Sequence, residues 1–316
     1  MEEDKPLRFR FHGSGSTLLV IYFLNLIFII LTLGFYYPWA RAKLIRYMYG
    51  EVEFEENRLQ FHGTGNEMLL GFLKAVSLMA LLYALLLATQ LTNFDWLRIL
   101  GILLFFIASV LIIPFAIHGA LRYRLSRSSY RGIHFGYRGE LKPLVMIFIK
   151  GIFLSIITLG IYFSWFEVEY RKYTLGKIRL GNASLAYNGN GAELFKINLK
   201  GVVLSIFTLG IYLFWFLKER NHYYINKVEV AQNGNSYKLN SEITAREIFT
   251  ATVFTYATIF TLGLALPWAV IFSYKIYINN ISIENGFNPN TLEQTEEEYN
   301  DATGDDLTDM LDIGMM

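Results

Sequence analysis

Two glycine-bracketed histidines, His12-Gly13-Ser14-Gly15 and His62-Gly63-Thr64-Gly65, are the residues of this chain whose types and spacing most suggest chemistry. Glycine-rich turns of this kind build oxyanion holes in esterases, where backbone N–H groups face a developing negative charge. The G-x-S-x-G nucleophile turn that accompanies them is missing from the sequence. A simpler reading is a strand-to-helix turn, with glycine supplying unusual φ and Ser14 or Thr64 capping the next helix. Gly13-x-Gly15 lacks the third glycine and the βαβ setting of a dinucleotide fingerprint. The five histidines (His12, His62, His118, His134, His222) show no metal-ligand spacing, so each is expected to make interfacial hydrogen bonds. Cysteine is absent, which removes disulfides, thiolate ligands and a cysteine nucleophile. Glu167 and Glu169 flank a helical stretch with Arg171 and Lys172 and read as an ion-paired solvated face. No catalytic residue, metal or cofactor is assigned, and the chain is not expected to be an enzyme.

Polar residues inside apolar segments offer a different chemistry. Lys150 and Lys200 begin the matching phrases KGIFLSIITLG and KGVVLSIFTLG. Ionisable groups at membrane depth are costly and often line a solute path, whereas near helix ends they reach for headgroups. Asn25, Gln90 and His118 are weighed in the same way, and Asn25 and His118 complete the candidate ligand-binding set. Thr252, Thr255, Thr258 and Thr261 recur every third residue and suit hydrogen bonding between helices.

The elements that must position these groups follow from composition. Hydrophobic residues make up 53% of the chain, charged residues 17% and aromatics 16%, the pattern of an integral membrane protein. A net charge of +1 gives no basic field for nucleic acid. Six windows, 17–38, 68–91, 96–118, 144–166, 195–217 and 247–272, approach the length needed to cross a hydrocarbon core of about 30 Å. The first is not expected to be a cleaved signal peptide, because it is itself a copy of the repeated unit.

The repeat is an apolar segment ending in T-L-G-x-x-x-x-W, with copies at Thr32–Trp39, Thr158–Trp165, Thr208–Trp215 and Thr261–Trp268. Ahead of it lies an alternating motif ending in glycine: Phe9-x-Phe11-x-Gly13, Leu59-x-Phe61-x-Gly63, Phe135-x-Tyr137-x-Gly139 and Leu185-x-Tyr187-x-Gly189. Tyr237-x-Leu239 reads as a fifth member without the glycine. A base follows the closing aromatic at +7 in every unit (Arg46, Arg122, Lys172, His222, Lys275), and tyrosine follows at +8 in four (Tyr47, Tyr123, Tyr173, Tyr223). Trp39, Trp165, Trp215 and Trp268, with the five bases, are therefore expected to anchor the chain at the membrane interface.

The expected fold is a mainly α integral membrane protein of about six transmembrane helices. Five units, approximately 7–50, 51–125, 126–176, 177–226 and 227–283, form one membrane domain over 1–283, with short β-hairpins between them. Asn233-Gly234 marks the clearest hairpin. The first strand, Arg8–Phe11, and the last, Ile281–Ile283, lack a sequential partner and are expected to pair with each other and close the array. Residues 284–316 read as a disordered acidic tail. With six spans, Lys and Arg divide 17 to 11 in favour of the side opposite the termini, which leans towards both termini outside. The lysine-bearing segments could instead be re-entrant, but Arg41 and Lys43 follow Gly34 too closely for the first unit to suit a deep hairpin, so true spans are expected.

The joint phrases F-H-G-x-G (Phe11–Gly15, Phe61–Gly65) and TLGFYYPWARAKLIRYMYG resemble the YjgN-like family of bacterial inner-membrane proteins, which carry a domain of unknown function over nearly the whole chain. The resemblance covers roughly 7–283. Later units depart from it: Pro38 becomes Ser164 and Phe214, and the histidine is missing from the third to fifth strand motifs. It implies a multi-pass protein of the bacterial cytoplasmic membrane and supplies no catalytic residues. The expected function is a transporter or channel for a small or amphiphilic solute, with a non-catalytic scaffold or lipid-interacting envelope protein as the alternative. Partners are lipids and, for a transporter or channel, a solute; no nucleic acid is expected. The oligomeric state is left open.

Overall fold

Each of five units runs strand, helix, helix, strand in the computed structural model, which describes residues 6–295. The first is β1 (Leu7–Phe11), α1 (Gly15–Leu31), α2 (Tyr37–Gly50) and β2 (Val52–Phe54). The second is β3 (Asn57–Phe61), α3 (Gly65–Gln90), α4 (Asp95–Ser126) and β4 (Ser128–Tyr130). The third is β5 (Ile133–Tyr137), α5 (Leu141–Ile157), α6 (Phe163–Gly176) and β6 (Ile178–Leu180). The fourth is β7 (Ala183–Tyr187), α7 (Gly191–Phe207), α8 (Leu213–Asn226) and β8 (Val228–Gln232). The fifth is β9 (Asn235–Ser241), α9 (Ala245–Ala257), α10 (Leu266–Asn279) and β10 (Ile281–Ile283).

The T-L-G phrase turns the chain back on itself. Thr32 Oγ1 donates to the Phe28 carbonyl at 2.7 Å and accepts from the Tyr36 N–H at 2.9 Å, so one hydroxyl serves both helix ends. Leu33 (φ +49°) and Gly34 (φ +94°) then take left-handed conformations, and the Gly34 N–H reaches the Ile29 carbonyl at 2.8 Å. That six-to-one bond is the Schellman closure of a helix C-terminus. Leu159, Leu209 and Leu262 repeat it at φ +50°, +51° and +49°. The expected six spans are therefore corrected: the phrase is a hairpin tip, not a break at the end of a span. Among the described residues only α3 and α4, of 26 and 32 residues, are long and apolar enough to cross a membrane. At 17 residues α1 is about 25 Å long, and it pairs with α2 as a hairpin, Arg41 and Lys43 notwithstanding.

Five hairpins return every strand to one end, where ten strands close into an antiparallel barrel in the order β1-β10-β9-β8-β7-β6-β5-β4-β3-β2. The interrupted β-hairpins expected from sequence are thus parts of one continuous wall. Closure is made by β1 and β10, with Leu7 opposite Ile283 and Arg8 opposite Ser282. An Arg8→Cys/Ser282→Cys pair is expected to form a disulfide on mild oxidation, since directly opposed Cα atoms lie about 4.5–5.5 Å apart. A cross-link at neither this pair nor Leu7/Ile283 would count against closure.

The barrel interior is packed with Phe54, Tyr130, Ala183, Val230 and Ile283, joined by Phe287 and Leu292 from the chain after β10. Residues 284–295, which composition places in the acidic tail, are ordered here as a plug. Asn182 N–H donates to the Glu293 carbonyl at 3.0 Å, and Gln294 Oε1 accepts from the His134 N–H at 2.8 Å. Backbone groups of the open strand turns pair with the segment, and its two apolar side chains fill the bore. The remainder of that expected tail, 296–316, lies outside the described residues.

The helices form a closed ring above the barrel, each packed chiefly on its two neighbours, with α10 meeting α1. In the first, third and fourth hairpins the first helix is the more apolar and the second is more densely charged, as YPWARAKLIRYMYG and FSWFEVEYRKYTLG show.

Candidate functional site

The strongly repeated residues bind unit to unit. An added Cβ at Gly65 would lie 2.4 Å from the Trp39 ring, and the same contact joins Gly191 to Trp165 and Gly15 to Trp268. Tryptophan therefore locks the first hairpin onto the second unit and the third onto the fourth, and Trp268 closes the circle onto the first unit. The +7 base works in the same direction. Arg46 donates to the Phe61 and Gly63 carbonyls of the second unit at 3.4 and 3.0 Å, and His222 Nε2 to the Ile243 carbonyl of the fifth at 2.8 Å. The +8 tyrosine works within its own unit. Tyr47, Tyr173 and Tyr223 each accept from the N–H and donate to the carbonyl of Ser14, Glu140 and Asn190, all at 3.0 Å or less. Sequence spacing identified these offsets and read them as interface anchors; the contacts give several of them a packing role as well. Lys172 and Lys275 are exposed and Arg122 is half-buried on the same helices, and Trp215 is the one tryptophan of the four without a glycine partner among the described contacts.

The F-x-G motif has a packing cause as well. The rings of Phe11, Phe61, Tyr137 and Tyr187 cover the glycine two residues later, leaving no room for a Cβ. In the fifth unit the register is Ser241-x-Ile243, both buried, so small and large residues exchange places. Tyr237 and Leu239, which sequence aligned with the motif, instead pack towards the barrel core.

Lys150 lies 3.1 Å from both carboxylate oxygens of Glu169, and Lys200 2.8 Å from Glu219 Oε1. Each pair joins the two helices of one hairpin and is exposed. Glu169 therefore pairs with Lys150 and not with Lys172. Asn25 is buried and donates to the Ala40 carbonyl at 3.3 Å. His118 packs edge-on to Tyr137, with ring centroids 5.6 Å apart. Gln90 donates to the Arg98 carbonyl at 3.3 Å in the tip of α3–α4. Thr252, Thr255, Thr258 and Thr261 donate to carbonyls three or four residues back in their own segment, not across helices. The structure thus gives local partners to each candidate and does not gather them into one site.

The glycine-bracketed histidines are also structural. Thr64 forms a capping box with Glu67, and His12 Nε2 lies 2.8 Å from Glu53. His62 hydrogen-bonds Ser129 at 2.8 Å; burial, followed by the nearby His134, Arg46 and Arg127, holds its imidazole below the usual histidine range. Among the described residues no cluster of three metal-ligating side chains forms.

One polar constellation escaped the sequence reading. Glu167 and Arg171 on α6 pair at 3.3 Å, as their spacing suggested, but Arg220 and Tyr224 on α8 join them. The Arg171 guanidinium stands 3.9 Å from the Tyr224 ring centroid, and Arg220 donates to the Tyr224 hydroxyl at 2.7 and 3.1 Å. Arg220 lies 3.6 Å from Glu167. Helices α6 and α8 are not ring neighbours, so these second helices meet behind α7. The available signal was the recurrence of polar residues five to nine places after Trp165 and Trp215.

These features define a class: a circular five-unit protein with a crown of helical hairpins on a plugged ten-stranded barrel. The chain belongs to the family described as bacterial protein of unknown function (DUF898), whose model matches residues 6–187 and 182–238. It is 29% identical over 163 residues to the inner membrane protein YjgN of Escherichia coli O157:H7, covering 51% of this chain and 39% of that protein. The YjgN of Escherichia coli strain K12 is 30% identical over 142 residues, covering 45% and 34%. The Salmonella typhimurium LT2 protein of that name is 28% identical over 158 residues, covering 47% and 38%. The chain thus spans less than half the length of these relatives. No solved structure matches it.

Proposed function

We propose that this protein is a non-catalytic, lipid-contacting protein of the bacterial inner membrane, inserted from one side by its crown. The observation that carries this reading is the state of the four tip leucines. Leu33, Leu159, Leu209 and Leu262 are 91–95% exposed while holding left-handed backbone conformations that favour glycine or asparagine. A water-facing turn has no reason to retain leucine at a cost of about 1–2 kcal/mol each; a tip immersed in hydrocarbon does. The α3–α4 tip differs, with Asn93, Asp95 and Arg98 beside exposed Phe94 and Trp96, a polar turn with interfacial aromatics. This hairpin crosses twice, and the other four enter and return on the barrel side.

The names of the YjgN relatives support the same membrane. Arg46, Arg58, Arg127, Arg131, Arg179 and Lys227 lie at the barrel end and Arg98 at the far tip, which favours a cytoplasmic barrel under the positive-inside rule. The earlier lean towards external termini depended on six crossings. A solute channel receives less support: the barrel axis is filled, and Lys150 and Lys200 are ion-paired.

Because the chain has no cysteine, single-cysteine probes test this directly. Fluorophores at Leu159 and Leu209 are expected to be quenched by lipids carrying quenchers deep in the acyl chain. Asn93→Cys is expected to react with an impermeant maleimide from the face opposite Glu56→Cys. Unquenched tips, or labelling of both sites from one face, would overturn the reading.

A further inference from the structure

We infer that the Arg171–Arg220–Tyr224–Glu167 constellation is a binding site for the phosphate of an anionic phospholipid headgroup; this rests on the membrane reading above. Two guanidinium groups share one carboxylate there, so the cluster carries a net positive charge. The carboxylate does not saturate them. Arg171 Nε is buried without a hydrogen-bond partner, and Glu167 Oε2 stands at 3.6 Å from Arg220, beyond hydrogen-bond reach. Tyr224 holds both arginines in place, one by stacking and one by hydrogen bonds from Nε and Nη2, so the outer Nη1 group of each is fixed in direction and left for a phosphate.

Depth fits a headgroup. Arg171 and Arg220 follow the tip glycines Gly160 and Gly210 by ten or eleven residues, about 15 Å along a helix. Lys150 and Lys200 precede those glycines by ten, so the Lys–Glu pairs lie at the same level. That distance is about half of a 30 Å hydrocarbon core, which places the charged belt at the near headgroup plane with the tips at mid-bilayer. A lipid headgroup at the constellation would extend its chains along the hairpins towards the apolar tips. The arginine pair is also distinct from the exposed lysines, which already have carboxylate partners inside their hairpins.

The test uses the full chain, extracted in mild detergent from vesicles of phosphatidylcholine with a minor share of phosphatidylglycerol, and weighs the retained lipid by native mass spectrometry. The phosphatidylglycerol-to-phosphatidylcholine ratio is expected to fall about tenfold in R171Q/R220Q, the loss of one or two charge-assisted hydrogen bonds. It is expected to rise in E167Q, which frees both arginines, and to stay unchanged in K150Q/K200Q. A wild-type ratio in R171Q/R220Q overturns the site, as does a fall in E167Q, which would mark the cluster as merely structural. Excess inorganic phosphate is expected to leave the lipid bound; displacement would assign the site to the free anion instead. Tip quenching at Leu159 and Leu209 reads the membrane placement separately, so failure of the site and failure of the membrane reading are distinguished.

Discussion

Gly201→Asn is expected to destabilise the α7–α8 hairpin, and Phe216→Ala is expected to cost less in the Gly201→Asn chain than it does alone. The reasoning comes from comparing units at one crossing point, nine residues before the tip glycine and six after it. In the fourth unit Gly201 faces Phe216, and a Cβ on Gly201 would lie 2.0 Å from the ring. The third unit repeats the pair as Gly151 and Phe166, again at 2.0 Å. The first unit solves the same crossing with Asn25 over Ala40, both buried and joined by the 3.3 Å hydrogen bond. Asparagine against phenylalanine has no room, and overpacking of this kind costs about 1–3 kcal/mol or more. Phe216→Ala alone opens a cavity and costs about 3–5 kcal/mol. Together they recreate the first unit's contact, so the double variant is expected to be more stable than the sum of the singles by about 1–3 kcal/mol. Thermal unfolding followed by tryptophan fluorescence in detergent measures the cycle. Strict additivity would show that the two crossings are not equivalent solutions of one packing problem.

The same exchange explains what was legible in the sequence and what was not. Offsets of Trp and the +8 tyrosine are visible because several units repeat the same contacts, tryptophan to the next unit and tyrosine within its own. Turn chemistry located the β-hairpins, and the unpaired first and last strands pointed to β1 meeting β10. The direction of the chain after T-L-G was not legible. An apolar helix of 17 residues followed by glycine is compatible with a span or a hairpin, and only the left-handed Leu33–Gly34 pair decides it. Charge near the tip misled in the first unit: Lys43 is accommodated by the Tyr36 hydroxyl at 2.6 Å rather than excluding a hairpin. Ser241-x-Ile243 was invisible as a repeat member because it conserves packed volume while exchanging residue size. Arg220 was missed because its partner Glu167 is 53 residues away, across a helix that sequence alone does not fold outward.

Phe287→Ala is expected to lower the stability of the whole ring by about 3–4 kcal/mol, within the range for truncating a buried aromatic. Phe287 belongs to the plug, and its ring lies 6.2 Å from Phe54 and 5.6 Å from Tyr237, between the first and fifth units. Leu292 reaches the same core. On the other side of the bore, Asn182 Nδ2 donates to the Thr291 carbonyl at 3.1 Å and Gln232 Nε2 to Thr291 Oγ1 at 3.2 Å. The plug therefore touches the closing units at one end and the fourth unit at the other, and its removal exposes an apolar bore together with unpaired backbone groups. Ending the chain after Glu284 is expected to cost more than Phe287→Ala and to weaken the β1–β10 seam in particular, since Ile283 packs in the same cluster. Hydrogen exchange at Arg8 and Ser282, compared between the full and shortened chains, reads the seam directly. Faster exchange there than in β5–β6 makes the plug the clasp of the circle; uniform exchange across all ten strands would reduce it to a filler of the bore.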